Sequence, residues 1–424
     1  MRSLKISAAI SLILIITTVS AAQDSLNVRL LSQTQIGPPI PWMSMPIAVE
    51  GNIACIAHYD EGLIIMDVSD PTAPQELSRY VPPQGNAADV DISGNYAYLA
   101  DLTGLEVLDL SDPTSPVMVG YDPNSVDGHG VKVFGIYAYV FHTMSSAIAI
   151  EDISDPTNPH IVGFMSFGNW GGDIEVIGNT AYITECLGGF GIWDISNPAQ
   201  VIQMGYLGTV LGGDVVLFGD DALVSHWDNG VDVIDVSDPI NPMLEGTFPV
   251  EGGAGTAAQN GNYLINALAT GGLRVLDVTN PLNPVQTGYY LLDVGRAWMD
   301  VEESLAYLAV ESGNLYIYDI TDALPVAPQN LSKIPFSFIL FPPHPNPFNP
   351  STTLTFQLPV AGFVELEVFD INACRVGVGL APTRWYPPGT HNILFDGTGL
   401  PSGVYLARLK AGNWSQVQKL VLLK

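Results

Sequence analysis

Basic residues are scarce in this 424-residue chain: 14 lysines and arginines stand against 43 aspartates and glutamates, a formal net charge of −29. A surface so anionic repels phosphate backbones and acidic bilayers, which excludes nucleic acid as a partner. Cysteine is nearly absent. Cys55, Cys186 and Cys374 are odd in number and show no C-x-x-C spacing, so neither a disulfide framework nor a thiolate zinc site is expected, and all three read as small buried hydrophobes. After the N-terminal run no apolar stretch approaches about 18 residues, so no transmembrane helix is expected in the mature chain. Enzyme signatures are also missing: there is no H-E-x-x-H, no G-x-S-x-G, no phosphate-binding glycine loop and no G-x-G-x-x-G after a strand.

What the chain has is a repeat. A seven-residue phrase ends at Asp67, Asp109, Asp152, Asp194, Asp235, Asp277 and Asp319, at intervals of 41 to 43 residues. In each copy an apolar strand runs into a turn such as Asp67-Val-Ser-Asp-Pro71, where Asp bonds its own backbone and proline presets φ. Upstream lies a hairpin of two strands around Gly94-Asn95, repeated at Gly51-Asn52, Gly178-Asn179 and Gly261-Asn262, with Gly135 and Gly219 in the equivalent place. Downstream comes a fourth strand, as in Pro116-Val-Met-Val-Gly-Tyr121. Four strands per period of about 42 residues predict an all-β chain built as a seven-bladed β-propeller over residues 23–322. The seventh blade has no fourth strand of its own, so the N-terminal strand around Asn27–Thr34 is expected to close the ring and remove its open edges.

These phrases resemble LVIVD repeats, a family of bacterial cell-surface propeller repeats, over about residues 27 to 322. The resemblance implies the fold and a surface location, and no particular reaction. Residues 1–22, with Arg2 and Lys5 before an apolar run from Ile6 to Val19 and the small residues Ser20-Ala21-Ala22, read as a cleaved signal peptide. Residues 323–335 form a proline-containing linker. Residues 336–424 read as a small β-sandwich of short alternating strands, among them Val364–Asp370 and Gly403–Lys410. Its Pro345-Asn-Pro-Phe-Asn-Pro-Ser-Thr opening, Ser402-Gly-Val-Tyr and terminal Lys419-Leu-Val-Leu-Leu-Lys resemble the C-terminal sorting domain of the type IX secretion system, which is related to an immunoglobulin-like module of flagellar-hook capping proteins. That resemblance implies export by the type IX machinery through 336–424, to a secreted or outer-surface location.

Charge divides between the two parts. Residues 23–335 carry a net −33, whereas the sandwich is slightly basic. Cations, cationic partners and neutral sugars therefore remain open as ligands, and solubility outside the cell explains the charge equally well.

Aligning the repeats collects candidate residues at the propeller mouth. After the second strand of successive blades stand His58-Tyr59, Asp101, His142, Glu185 and His226-Trp227; five residues before the hairpin glycine stand Asp89, Asp173 and Asp214; His129, Trp170, Arg296 and Trp298 join them. Imidazole with carboxylate suits a divalent cation, calcium or zinc, and aromatics beside carboxylates suit a sugar. The three aligned aspartates equally suit a scaffold role, accepting backbone amides at a strand entrance. The expected function is a non-catalytic binding module for an extracellular glycan or protein ligand. Two alternatives stand beside it: a polysaccharide hydrolase using Asp89, Asp173, Asp214 or Glu185 as its paired carboxylates, and a purely structural envelope or adhesion protein.

Overall fold

The computed structural model describes residues 25–423 except 41–44, 84–85, 143–145, 168–170, 186–187, 209–211, 227–229, 269–271, 294, 325–338, 342, 359–361, 371–374, 377–383, 387–388 and 412–413. The signal segment and all but the first two residues of the linker lie outside the described residues.

Antiparallel sheets of four strands follow one another along the chain. The second is typical: Asp89–Ser93, Tyr96–Ala100, Leu105–Asp109 and Val117–Asp122 pair in that order. Six such sheets run from Ile47 to Tyr290, and a seventh holds Ala297–Glu302, Leu305–Val310 and Asn314–Asp319. Its fourth strand is Arg29–Gln35, which pairs with Asn314–Asp319 from the other end of the repeat region. One pairing lies outside the sequence expectation: Ser25–Leu26 adds a fifth strand to the sixth sheet, against Val285–Tyr290.

Local chemistry explains the repeat. The hairpin glycines 51, 94, 135, 178, 219 and 261 all have φ between +58° and +65°, a region that costs a side chain energy but costs glycine nothing. In the seventh sheet Glu303 takes that place at φ +53°. The Asp-Pro turns close as the sequence predicts: Asp67 accepts the Ser69 amide at 2.9 Å and Asp70 accepts the Thr72 amide at 3.0 Å, and the pattern recurs at Asp109 and Asp112.

The sheets stack into a propeller-like ring because both faces of each central strand are apolar. Leu63 and Ile65 pack on the second sheet with Val90, Leu99 and Leu108, while Ile64 and Met66, pointing the other way, pack on the seventh with Tyr307, Leu315 and Ile317. Cys55 belongs to the first of these clusters, as expected, and burial pushes its thiol up to about 12. Cys186 and Cys374 lie outside the described residues.

A second contact ties each outer strand to the next turn. Cβ atoms built on Gly120, Gly163 and Gly205 would fall 1.7 to 2.3 Å from the carbonyl oxygens of Pro156, Pro198 and Pro239. Where the outer strand carries serine instead, the hydroxyl donates to the same carbonyl: Ser78 to Pro113 at 2.6 Å, and Ser32 to Pro71 at 2.7 Å. Arg29–Gln35 therefore meets the first sheet as the other outer strands meet their successors.

The C-terminal part has two sheets. One holds Ile339–Leu340, Ser351–Leu358 and Gly389–Asp396; the other holds Arg384–Tyr386, Gly362–Asp370, Gly403–Ala411 and Trp414–Leu422. Leu354, Phe356, Val368, Leu409 and Leu420 form the core between them. The Pro-Asn-Pro-Phe-Asn-Pro segment contributes Phe348, buried against Phe395 and bonded through its backbone to Val421. Among the described residues no helix is long and apolar enough to cross a membrane.

Candidate functional site

The first strands of the sheets lie side by side around the axis, Ile47–Glu50 beside Asp89–Ser93 and, closing the circle, beside Ala297–Glu302. Polar residues on these strands face one central channel. Five residues before the hairpin stand Asp89, Asp173, Asp214 and Thr256; three before it stand Asp91, Lys132, Glu175 and Asp300.

Backbone amides explain how five of the six carboxylates are held there. Asp89 accepts the Val131 amide at 2.8 Å, Asp91 the Val133 amide at 2.7 Å, Asp173 the Val215 amide at 3.1 Å and Asp214 the Ala257 amide at 2.8 Å. Asp300 accepts the amide of Val49 at 2.7 Å. Each bond runs from one sheet to the first strand of the next. The scaffold role considered for Asp89, Asp173 and Asp214 is thus present in the structure, and Asp91 and Asp300 share it.

Lys132 is the cation of this ring. It is open to water along the channel yet surrounded by protein, with Asp173, Asp91, Asp89 and Asp300 around it. Partial removal from bulk water disfavours its charge, but the four carboxylates outweigh that and raise its proton affinity. The acids shift upward too. Loss of bulk water is the main cause, and it pushes Asp89 and Asp214 up to about 7, Asp91 to about 6 and Glu175 to about 8. For Asp214 and Glu175 the charge of Asp173 adds to the rise.

Sequence reasoning missed Lys132, Asp91, Glu175 and Asp300. The signal was available at the strand position two residues beyond the aligned aspartates, which points to the same face.

The other predicted residues that the structure describes make separate contacts away from these acids. His58 is fully buried, with Nε2 3.0 Å from the Pro38 carbonyl. His142 is buried with Nε2 3.2 Å from Ser125 Oγ, and His226 lies 3.6 Å from Asp232. His129 is exposed, with Nδ1 3.0 Å from the Asp127 carbonyl. Asp101 is buried and caps its own loop, accepting from the amides of Thr103 and Gly104 at 2.9 and 2.7 Å. Glu185 is buried and receives the Tyr206 hydroxyl at 3.5 Å. Tyr59 and Trp298, expected as sugar platforms, pack on the apolar cluster between the seventh and first sheets. Arg296 is exposed; Trp170 and Trp227 lie outside the described residues. The calcium or zinc expectation finds no ligand set: among the described residues no three His, Cys, Asp or Glu side chains are grouped to hold an ion.

Four-stranded sheets circling a polar channel define a propeller-like repeat protein, a class whose fold suggests a binding or interaction module. Residues 43–81, 84–121, 127–166, 171–209, 212–250 and 251–291 match the LVIVD repeat, together more than half of the chain, and the protein belongs to that family. No curated protein matches it. Among solved structures it is similar to a chain of the structure described as "Crystal Structure of Mitotic Checkpoint Complex", at 9% identity over 75% of this chain and 98% of that one, with a TM-score of 0.56. It is also similar to the computationally designed Ika8 protein, at 10% identity over 69% and 84% of the two chains and a TM-score of 0.49. The first likeness supports the fold alone.

Proposed function

We propose that the protein is a secreted or surface-attached bacterial seven-bladed β-propeller, closed by Arg29–Gln35, that binds an extracellular ligand without transforming it. The carrying observation is the use of the channel carboxylates. Asp89, Asp173 and Asp214, the acids best placed for hydrolysis, each spend an oxygen on a backbone amide of the next sheet, so they serve as anchors between sheets rather than as a free acid and nucleophile.

Export rests on both ends of the chain. Residues 1–22 act as the signal peptide, and residues 336–424, an immunoglobulin-like sandwich, act as the type IX sorting domain. The pairing of Phe348 and Leu422 supports this reading, because it joins the Pro-Asn-Pro-Phe-Asn-Pro opening to the terminal strand that the sorting resemblance also includes.

One observation favours the hydrolase as a second reading: Glu175 at about 8 lies close to Asp173, and a pair of neighbouring carboxyl groups is what glycoside cleavage uses. Incubating the mature chain with a panel of plant and microbial glycans decides between the two. Saturable binding without new reducing ends supports the module; reducing ends that vanish in Asp173→Ala support the hydrolase. A reporter fused to residues 336–424 is expected outside the cell, and retention in the periplasm overturns the export reading.

A further inference from the structure

Charge is distributed unevenly around the channel. Lys132 is the one lysine or arginine on the seven first strands, and its charge acts on six carboxylates, Asp89, Asp91, Asp173, Glu175, Asp214 and Asp300, so acid is in excess there. Asp214 lies close enough to Asp173 for the two to repel even with Lys132 acting on both, and the first strands of the fourth, fifth and sixth sheets, Gly171–Ile177, Val215–Phe218 and Ala254–Asn260, contain no lysine or arginine.

The next place round the ring belongs to Thr256, which occupies the repeat position of Asp173 and Asp214. It is 8% exposed, and among the described residues its hydroxyl has no hydrogen-bond partner. Because Asp214 accepts the amide of Ala257, the neighbouring Thr256 is held beside that carboxylate. A buried hydroxyl left without a partner costs about 1–3 kcal/mol, so its retention next to the Asp214 carboxylate points to a group that binds there.

We propose that Asp173, Asp214 and Thr256 form a binding site for an alkylammonium group, carried by a small polyamine or by the end of a lysine side chain. The inference rests on the binding-module reading and supplies its chemistry. An ammonium has three donors and no acceptor, and two carboxylates with one hydroxyl offer three acceptors in an arc. Lys132 shows that the same channel holds an ammonium of its own. A bare divalent ion fits poorly, since each of these carboxylates already spends an oxygen on an amide and no three ligating groups are gathered among the described residues. The net −33 of residues 23–335 raises the local concentration of any cation at the mouth.

The test is calorimetric titration of the mature full chain with cadaverine, spermidine and a lysine-containing tripeptide, against tetramethylammonium and sodium chloride at matched ionic strength. Saturable binding of the primary amines is expected, at least tenfold weaker in Asp214→Asn, weaker in Thr256→Val, and stronger in Lys132→Met, which removes the competing ammonium. Preference for free amines over the tripeptide assigns the site to polyamines, and the reverse assigns it to a protein partner. Equal responses to tetramethylammonium and sodium chloride, or binding unchanged in both Asp214→Asn and Thr256→Val, overturn the proposal. Thr256→Val is isosteric and keeps the fold testable if Asp214→Asn does not fold. A chain that ignores amines but still captures a glycan or protein loses this inference alone, whereas one that captures nothing loses the binding reading as well.

Discussion

The Asp300 carboxylate accepts the Val49 amide at 2.7 Å, joining the last first-strand of the ring to the earliest across 251 positions of sequence. Asp89 with Val131 and Asp91 with Val133 make the same contact between neighbours 42 positions apart. The closure of the ring thus reuses the bond that joins its interior.

Asp300→Ala leaves the Val49 amide without its acceptor. The expected loss is about 1–3 kcal/mol, with a smaller loss in Asp300→Asn, which keeps one carbonyl oxygen. Denaturant midpoints of the two variants check this, and equal midpoints for Ala and wild type exclude a closing role for the bond.

Deleting residues 23–36 removes the outer strand of the seventh sheet together with the Ser32 bond to Pro71. A sharp fall in melting temperature is expected, because the edge of Asn314–Asp319 is then exposed. A melting curve unchanged by the deletion would falsify the closure.

Gly163→Ala and Gly178→Ala separate two uses of glycine. At Gly163 a Cβ would meet the Pro198 carbonyl at 1.7 Å, so the turn must move, at a cost of about 1–3 kcal/mol. Gly178 has φ +62° and open space around it, so only backbone strain applies, about 1 kcal/mol. Thermal melts should rank Gly163→Ala the more damaging; the opposite order would show that the sheet contact is loose.

Acidity should stabilise this protein. Asp89 and Asp214 at about 7, Glu175 at about 8 and the buried Glu151 at about 8 all bind protons more tightly folded than unfolded. Their contribution is therefore fully present below the unfolded carboxylate range near pH 4 and is lost as pH rises through 7 to 8. Turn aspartates such as Asp67 and Asp109, whose proton affinity is lowered by Ser69 and Ser111, work the other way and lose their contribution as pH falls below about 4. Urea midpoints are expected to be higher at pH 5 than at pH 8, and Glu151→Gln should narrow the gap. A higher midpoint at pH 8 would refute the burial of these acids.

Much of the fold was legible in the chain. The hairpin glycines, the Asp-Pro turns and the two-residue alternation of Leu63, Ile64, Ile65 and Met66 all act within a few residues, so each repeat displays them. The site was legible only in part. Asp89, Asp173 and Asp214 could be aligned with the hairpin, but their partners Val131, Val215 and Ala257 lie one sheet away and are bonded through backbone amides that every residue but proline carries. The histidines misled because alignment places them at strand ends without saying which way each ring turns: His58, His142 and His226 turn inward to separate partners.

By itself, then, the sequence determined the repeat, its strands and turns and the excess of acid, because those depend on local backbone preference and on composition. Tertiary structure decided which residues share the channel. Only closing the ring brings Asp300 to Val49 and sets Lys132 among acids from the second, fourth and seventh sheets, since charges so far apart in sequence act on one another only when the fold shortens the distance.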